Sequence, residues 1–131
     1  SEQFHIVAMP CKGTAEEFCK AARKRSDRQQ KFIDQDSETD SLIYFSCLPW
    51  VDVTAITNER ELLAPDARDD SIPRLAWGKY TKTGDRVELG ISVEVNHRLI
   101  DGLHIGRFAQ ALTEEMDCLE QESGAEFPGS L

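Results

Sequence analysis

The stretch 86–122 constrains this chain most, because an alternating pattern ends there at a histidine and a helical pattern begins. From Arg86 to Val95 apolar and polar residues alternate, which predicts a β-strand with one face in the core. From Gly102 to about Glu122 apolar residues recur at helical spacing, at Ile105, Phe108, Leu112, Met116 and Leu119. The sequence therefore predicts a strand that leads through a short turn into an amphipathic helix.

The turn between these two elements carries His97 and Asp101. Asp101 directly precedes Gly102, where a short carboxylate can cap the helix that follows. A neutral imidazole can accept a proton from an alcohol or a thiol when a turn orients and partly shields it. His97 is therefore a candidate base, although a single histidine in a loop before a capped helix is more often an ordinary loop residue.

Composition limits the kinds of site that the turn can belong to. A chain of 131 residues with 40% hydrophobic residues predicts one domain whose core needs no disulfide or metal. The four cysteines are scattered beside apolar runs and form no cluster with the three histidines, so we expect free thiols and no metal. The absence of a signal peptide and of a long apolar stretch predicts a soluble, cytoplasmic protein without a membrane partner. The net charge of −9 argues against binding to nucleic acid.

The remaining elements follow from local patterns. Thr14 and Glu17 form a capping box that predicts a helix to about Ile33. Pro49 interrupts an apolar run and should separate two strands. The predicted strands are Phe4–Met9, Ser41–Cys47, Val51–Ile56 and Arg74–Thr81, with a surface loop over 57–73 and a hairpin turn over 82–85.

Three motifs, in order, carry a resemblance to a known family. They are Ser46-Cys-Leu-Pro49-Trp50-Val51, Ala76-Trp-Gly78-Lys79-Tyr80 and His97-x-x-x-Asp101-Gly102. Together they resemble the C-terminal part of the chloramphenicol acetyltransferases, and the third is also similar to a motif of the dihydrolipoyl acyltransferases. The resemblance implies one domain over residues 1–122, and we expect the last residues, 123–131, to be a flexible tail.

For the fold, the resemblance implies an α/β two-layer sandwich with a mixed, largely antiparallel sheet and helices on one face. For the function, it implies acetyl transfer from the co-substrate acetyl-CoA to a hydroxyl of a small-molecule acceptor, without a metal. Enzymes of this kind confer antibiotic resistance and work as trimers, with His97 of one copy expected to face Ser46 of the next.

The same resemblance assigns roles to single residues. His97 would be the general base, and the Ser46 hydroxyl would donate a hydrogen bond to the oxyanion of the tetrahedral intermediate. Asp101 would have a structural role in the turn. Residues at the coenzyme site would be Trp50, Lys79 and Tyr80, with Lys82 and Arg86 adding positive charge nearby.

The chain also departs from the family pattern. It matches only the C-terminal part, so an arginine that pairs with the aspartate in the family is missing, and Arg98 is expected to pair with Asp101 instead. Ala76 replaces a threonine, and Arg74 stands at an apolar acceptor position. These departures make chloramphenicol a doubtful acceptor and leave two hypotheses. The chain is either an O-acetyltransferase acting on a small hydroxylated acceptor, or a truncated non-catalytic remnant or oligomerising module of the same fold.

Overall fold

A computed structural model of the chain describes residues 5–33, 41–58 and 71–123. The chain divides into two compact units, Ser1–Leu42 and Ile43–Leu131. The expected flexible tail, 123–131, lies almost entirely outside the described residues. The single domain over 1–122 stays a prediction.

The first unit is built around helix α1, Ala15–Arg28. The predicted capping box is confirmed: the Glu17 amide donates to Thr14 Oγ1 at 3.3 Å, and the Thr14 amide donates to Glu17 Oε2 at 2.9 Å. These bonds satisfy amide groups that an uncapped helix would leave without partners.

The end of α1 and the start of the chain differ from the prediction. The helix ends at Arg28 and not near Ile33, because Gln29 has an extended backbone and its side-chain amide donates to the Ile6 carbonyl at 2.7 Å. The Ile6 amide donates to the Phe32 carbonyl at 2.8 Å, and Ile6 forms one isolated parallel bridge with Ile33. The predicted strand Phe4–Met9 is therefore wrong over the described residues 5–9, which contain only this bridge.

The second unit contains a three-stranded sheet with the order β1-β2-β3, namely Tyr44–Cys47, Arg74–Thr83 and Arg86–Glu94. β1 pairs with β2 in parallel, and β2 pairs with β3 in antiparallel orientation. Gly84 and Asp85 form the tight turn of the β2–β3 hairpin, and Gly84 has φ +62, a conformation that glycine adopts without strain. The predicted α/β class with a mixed sheet is confirmed.

The two faces of the sheet differ in character. One face carries the apolar side chains of all three strands, with Phe45 and Trp77 in edge contact at 6.2 Å between ring centroids. The other face carries Ser46, Ala76 and Ser92 in one row across the strands. Between Trp77 and Tyr80 the register shifts, so that Gly78 and Lys79 stand opposite Gly90 in a bulge.

Residues 51–58 cross the face that carries Ala76. The Lys79 amide donates to the Val51 carbonyl at 2.7 Å, and Ser92 Oγ exchanges hydrogen bonds with the backbone of Ile56 at 3.1 and 3.2 Å. Val53 is buried, and a Cβ atom at Gly78 or Gly90 would collide with the backbone of residues 51–53. We call residues 51–58 the crossing segment. The predicted strand Val51–Ile56 is wrong. The backbone of this segment forms hydrogen bonds with the Ser92 side chain and with the Lys79 amide in the bulge, and it does not pair with a strand in a β-ladder.

Helix α2, Gly102–Ser123, agrees closely with its predicted range. Among the described residues, no Cα atom of α2 comes within 8 Å of a Cα atom of the three strands. Ile105 and Leu112 on its apolar stripe are half-buried, whereas Phe108, Met116 and Leu119 are exposed. Over residues 41–58 and 71–123, α2 therefore does not pack on the strands, and the crossing segment lies on one face of the sheet.

Candidate active site

The candidate base His97 lies in a hydrogen-bonded turn that follows β3. The Leu99 and Ile100 amides both donate to the Asn96 carbonyl at 3.0 Å, and the Arg98 amide donates to Asn96 Oδ1 at 3.0 Å. These three bonds converge on Asn96 and leave the backbone at His97 little freedom. The sequence therefore produces a closed turn where the strand pattern stops.

The imidazole of His97 is held by the same turn. Its Nδ1 lies 3.1 Å from the Ile100 carbonyl oxygen. Because a carbonyl oxygen can only accept, Nδ1 carries the proton in this hydrogen bond, and Nε2 presents its lone pair. The side chain is exposed, so Nε2 is accessible to a reacting hydroxyl. This tautomer and orientation are those that a general base requires.

Asp101 is the N-cap of α2, as its position before Gly102 predicts. Its Oδ1 accepts from the Leu103 amide at 3.0 Å and from the His104 amide at 3.3 Å. The pKa of Asp101 is lowered from its ordinary value, chiefly by the hydrogen bond from the His104 amide, with further contributions from the His104 imidazole and the Leu103 amide. The carboxylate is therefore ionised at neutral pH, and its two amide hydrogen bonds cap the first turn of α2.

His104 is the residue of the site that the sequence patterns do not single out. Its Nδ1 lies 2.7 Å from Asp101 Oδ1. The same nitrogen lies 3.2 Å from the Asp101 amide nitrogen. A protonated Nδ1 can donate to the carboxylate, and an unprotonated Nδ1 can accept from the amide, but one ring cannot do both at once. The shorter contact assigns the proton to Nδ1. The sequence does contain one sign of this contact: Asp101 and His104 are three residues apart in the first helical turn, a spacing that places the two side chains next to each other.

Arg98 was expected to pair with Asp101. The side chain that the structure places at the Asp101 carboxylate is the imidazole of His104. The Arg98 backbone serves the turn through its bond to Asn96. The pairing of the Arg98 side chain with Asp101 stays a prediction.

Ser46 lies on β1, in the row Ser46, Ala76 and Ser92. Two strand spacings, about 10 Å, separate the Cα atoms of Ser46 and Ser92. His97 follows Ser92 by five residues and lies beyond the end of β3. No hydrogen bond joins the Ser46 and His97 side chains in the described part of the chain, and the two residues lie on opposite edge strands or beyond them. The structure does not bring them together within one copy.

The residues expected at the coenzyme site lie together at one corner of the second unit. The bond from the Lys79 amide to the Val51 carbonyl places Trp50 beside the bulge that contains Lys79 and precedes Tyr80. Trp50 is 82% exposed and Tyr80 is 45% exposed. Lys82 and Arg86 continue along the same hairpin, and both side chains are exposed. The corner therefore carries exposed aromatic and basic side chains, and Arg86 lies 4.0 Å from the carboxylate of Glu88.

This corner lies far from the His97 turn. Leu89, opposite Tyr80, and Glu94, at the end of β3, are five residues apart on one strand, which corresponds to about 17 Å. A coenzyme bound at the corner would therefore have to extend along the sheet to reach His97 of the same copy.

Over residues 5–33, 41–58 and 71–123, no group of three or more His, Cys, Asp or Glu side chains lies together as a metal ion would require. Within those ranges, no helix is long and apolar enough to cross a membrane.

Comparison with known proteins identifies the family. A family model described as chloramphenicol acetyltransferase matches residues 13–113, which is more than half of the chain. Chloramphenicol acetyltransferase 3 of Escherichia coli is 27% identical over 117 residues, covering 87% of this chain and 53% of that protein. A chloramphenicol acetyltransferase of Streptomyces acrimycini is 33% identical, and the match covers 70% of this chain and 38% of that protein. One of Clostridium butyricum is 32% identical, and the match covers 64% of this chain and 36% of that protein. The chain thus spans about half or less of these curated relatives, and it belongs to the chloramphenicol acetyltransferase family.

Proposed function

We propose that this chain carries the base and the oxyanion donor of an O-acetyltransferase that transfers an acetyl group from acetyl-CoA to a hydroxyl of a small acceptor. The observation that supports this function best is the hydrogen bond from His97 Nδ1 to the Ile100 carbonyl. It orients the ring and leaves Nε2 as the proton acceptor, at the position of the family's histidine motif. Membership of the family makes the acetyl thioester the expected donor.

The proposed reaction assigns one proton path. His97 Nε2 accepts the proton of the acceptor hydroxyl while that oxygen attacks the thioester carbonyl carbon. The carbonyl oxygen then carries the negative charge, and the Ser46 hydroxyl donates a hydrogen bond to it. The C–S bond breaks when the intermediate collapses, and the imidazolium of His97 returns the proton to the thiolate of coenzyme A.

The separation of Ser46 from His97 supports a shared site. Within one copy Ser46 lies on β1 and His97 follows β3, at opposite edges of the sheet, and no hydrogen bond joins their side chains in the described part of the chain. We propose that a second copy supplies the missing partner, so that His97 of one copy acts with Ser46 of the next. A trimer, which the resemblance implies, would contain three such sites.

The acceptor is expected to differ from chloramphenicol. Arg74 and Ala76 lie on the same sheet face as Ser46, with the Arg74 guanidinium 5.8 Å from the centroid of the Tyr44 ring. Glu94 stands opposite Arg74 in the register of β2 and β3, so this face carries a basic and an acidic residue side by side and gives no net charge that would select an acidic acceptor. The first screen therefore contains chloramphenicol and other small hydroxyl compounds.

The test is a thiol-release assay with acetyl-CoA and this set of acceptors. His97→Ala should abolish acetyl transfer, whereas His5→Ala should leave it unchanged, because His5 belongs to the first unit and to none of the motifs. An active His97→Ala variant would contradict the assignment of the base.

A specific observation also favours the second candidate function, an oligomerising module without turnover. Phe45 on the sheet and Met116 on α2 are 62% and 49% exposed, which is apolar surface of the kind that drives association. If the wild-type chain assembles but neither binds acetyl-CoA in calorimetry nor releases thiol, this second function replaces the first.

A further inference from the structure

We infer that His104 is a positioning residue for the proposed base: it holds the Asp101 carboxylate, and through the peptide between Ile100 and Asp101 it fixes the acceptor of the His97 ring proton. The inference rests on the proposed role of His97. No sequence motif assigns a task to His104, so the argument depends on its contacts alone.

The peptide unit between Ile100 and Asp101 links the His97 ring to the cap of α2. Its carbonyl oxygen accepts the His97 Nδ1 proton at 3.1 Å. The residue on its other side, Asp101, is tied to the first turn of α2 through its carboxylate. The orientation of this one peptide plane therefore decides whether the His97 ring keeps its acceptor.

The His104 ring is the third group that holds the Asp101 carboxylate at the start of α2. The Leu103 and His104 amides are neutral donors at 3.0 and 3.3 Å, whereas the His104 ring contact to the same oxygen is 2.7 Å long. The Asp101 side chain is 58% exposed, so water competes for its oxygens. A third donor in a short bond to an ionised carboxylate limits rotation of the side chain away from the cap.

The consequence concerns the protonation pattern of His97. If the His104 contact is lost, the Asp101 side chain and the adjoining peptide gain freedom, and the Ile100 carbonyl no longer stays directed at Nδ1. The neutral imidazole then populates both tautomers, and the fraction with a lone pair on Nε2 falls.

Two substitutions of His104 distinguish a hydrogen bond to Asp101 from a side chain that only occupies space. In His104→Asn the side-chain nitrogen takes the place of Nδ1 and can still donate to Asp101, whereas in His104→Gln the nitrogen takes the place of Nε2 and cannot. The His104 side chain is 56% exposed, so neither change should unfold the protein, and far-UV circular dichroism checks this.

The readout is the nitrogen NMR spectrum of the histidine rings in the whole chain, at a pH where imidazoles are neutral. We expect His97 to show a protonated Nδ1 in the wild type and in His104→Asn, and a mixture of tautomers in His104→Gln. Where turnover is measurable, His104→Gln should also lower kcat several-fold with little change in KM for acetyl-CoA.

Three results would overturn the inference: an unprotonated Nδ1 at His104 in the wild type, an unchanged His97 signal in His104→Gln, or an equal change in both variants. The first of these needs no variant, so a folding defect would not leave the inference untested. The spectrum is independent of turnover, and therefore an inactive wild type would contradict the proposed function without affecting this result.

Discussion

At the residue scale, a substitution of Ser46 tests the proposed oxyanion donor separately from the proposed base, His97. Ser46→Ala removes one proposed oxyanion donor and leaves His97 in place, so kcat for acetyl transfer should fall by about a hundredfold. The stability should change little, because Ser46 is exposed on the edge strand β1. Ser26→Ala, an equivalent change on the exposed surface of α1, should keep full activity in the same thiol-release assay. Equal rates for both variants would remove Ser46 from the mechanism.

Asp101 gives a second prediction at this scale, which concerns stability and pH. Its pKa is lowered in the folded chain, so its ionised form stabilises the fold above the ordinary carboxyl pKa of about 3.9. That stabilisation is lost as the pH falls through the lowered native value. Asp101→Asn keeps a capping oxygen without the charge and should therefore melt below the wild type at pH 7.

The difference in Tm between wild type and Asp101→Asn should shrink as the pH falls below the ordinary carboxyl pKa of about 3.9, because the contribution of the charge to stability starts to be lost there. Thermal melts at pH 7, 5 and 3 would measure it. Asp101→Ala, which lacks the capping oxygen, should melt lower than both at every pH. A Tm difference that stays constant down to pH 3 would show that the charge of Asp101 has no part in stability.

At the element scale, the crossing segment depends on two glycines that face it. Gly90→Ala would place a Cβ atom against the Val53 carbonyl, which must move or force β3 to move. We expect a loss of stability of about 1–3 kcal/mol, as for other overpacked sites. Gly106→Ala is the control, because a Cβ there meets nothing within 4 Å and alanine favours the helix by about 1 kcal/mol.

Urea denaturation of the two glycine variants would compare them directly. Opposite signs of the change in unfolding free energy are expected, with Gly90→Ala less stable and Gly106→Ala more stable than the wild type. A neutral Gly90→Ala would mean that the crossing segment does not lie against the sheet in solution.

The elements also show how far sequence patterns reach. The hairpin and the helix cap followed from local signals, an alternating run beside a Gly-Asp turn and a Thr14–Glu17 capping box. Val51–Ile56 has an apolar run suited to a strand, but its position is decided by glycines on β2 and β3 that are distant in sequence. The same holds for the candidate site. The turn at His97 follows from neighbouring residues, whereas the separation of Ser46 from His97 depends on the order of the strands in the sheet, which no single sequence pattern predicts.

At the scale of the whole molecule, the described residues leave much apolar surface uncovered. Only Val53 and Ala76 are apolar residues buried in the described part of the chain, which is little for a stable domain. The apolar sheet face and the stripe on α2 are therefore expected to become buried by association. This agrees with a site that needs residues from two copies.

The last prediction follows from that surface. We expect the chain to sediment as an oligomer at micromolar concentration and not as a 14.8 kDa monomer. Met116→Asp places a charge on the α2 stripe and should shift the chain toward smaller species. Gln121→Asp adds the same charge on the opposite side of the helix, where 100° per residue places it away from the stripe, and should not. A wild type that sediments as a clean monomer would contradict both the shared site and the oligomerising module, because each requires a second copy.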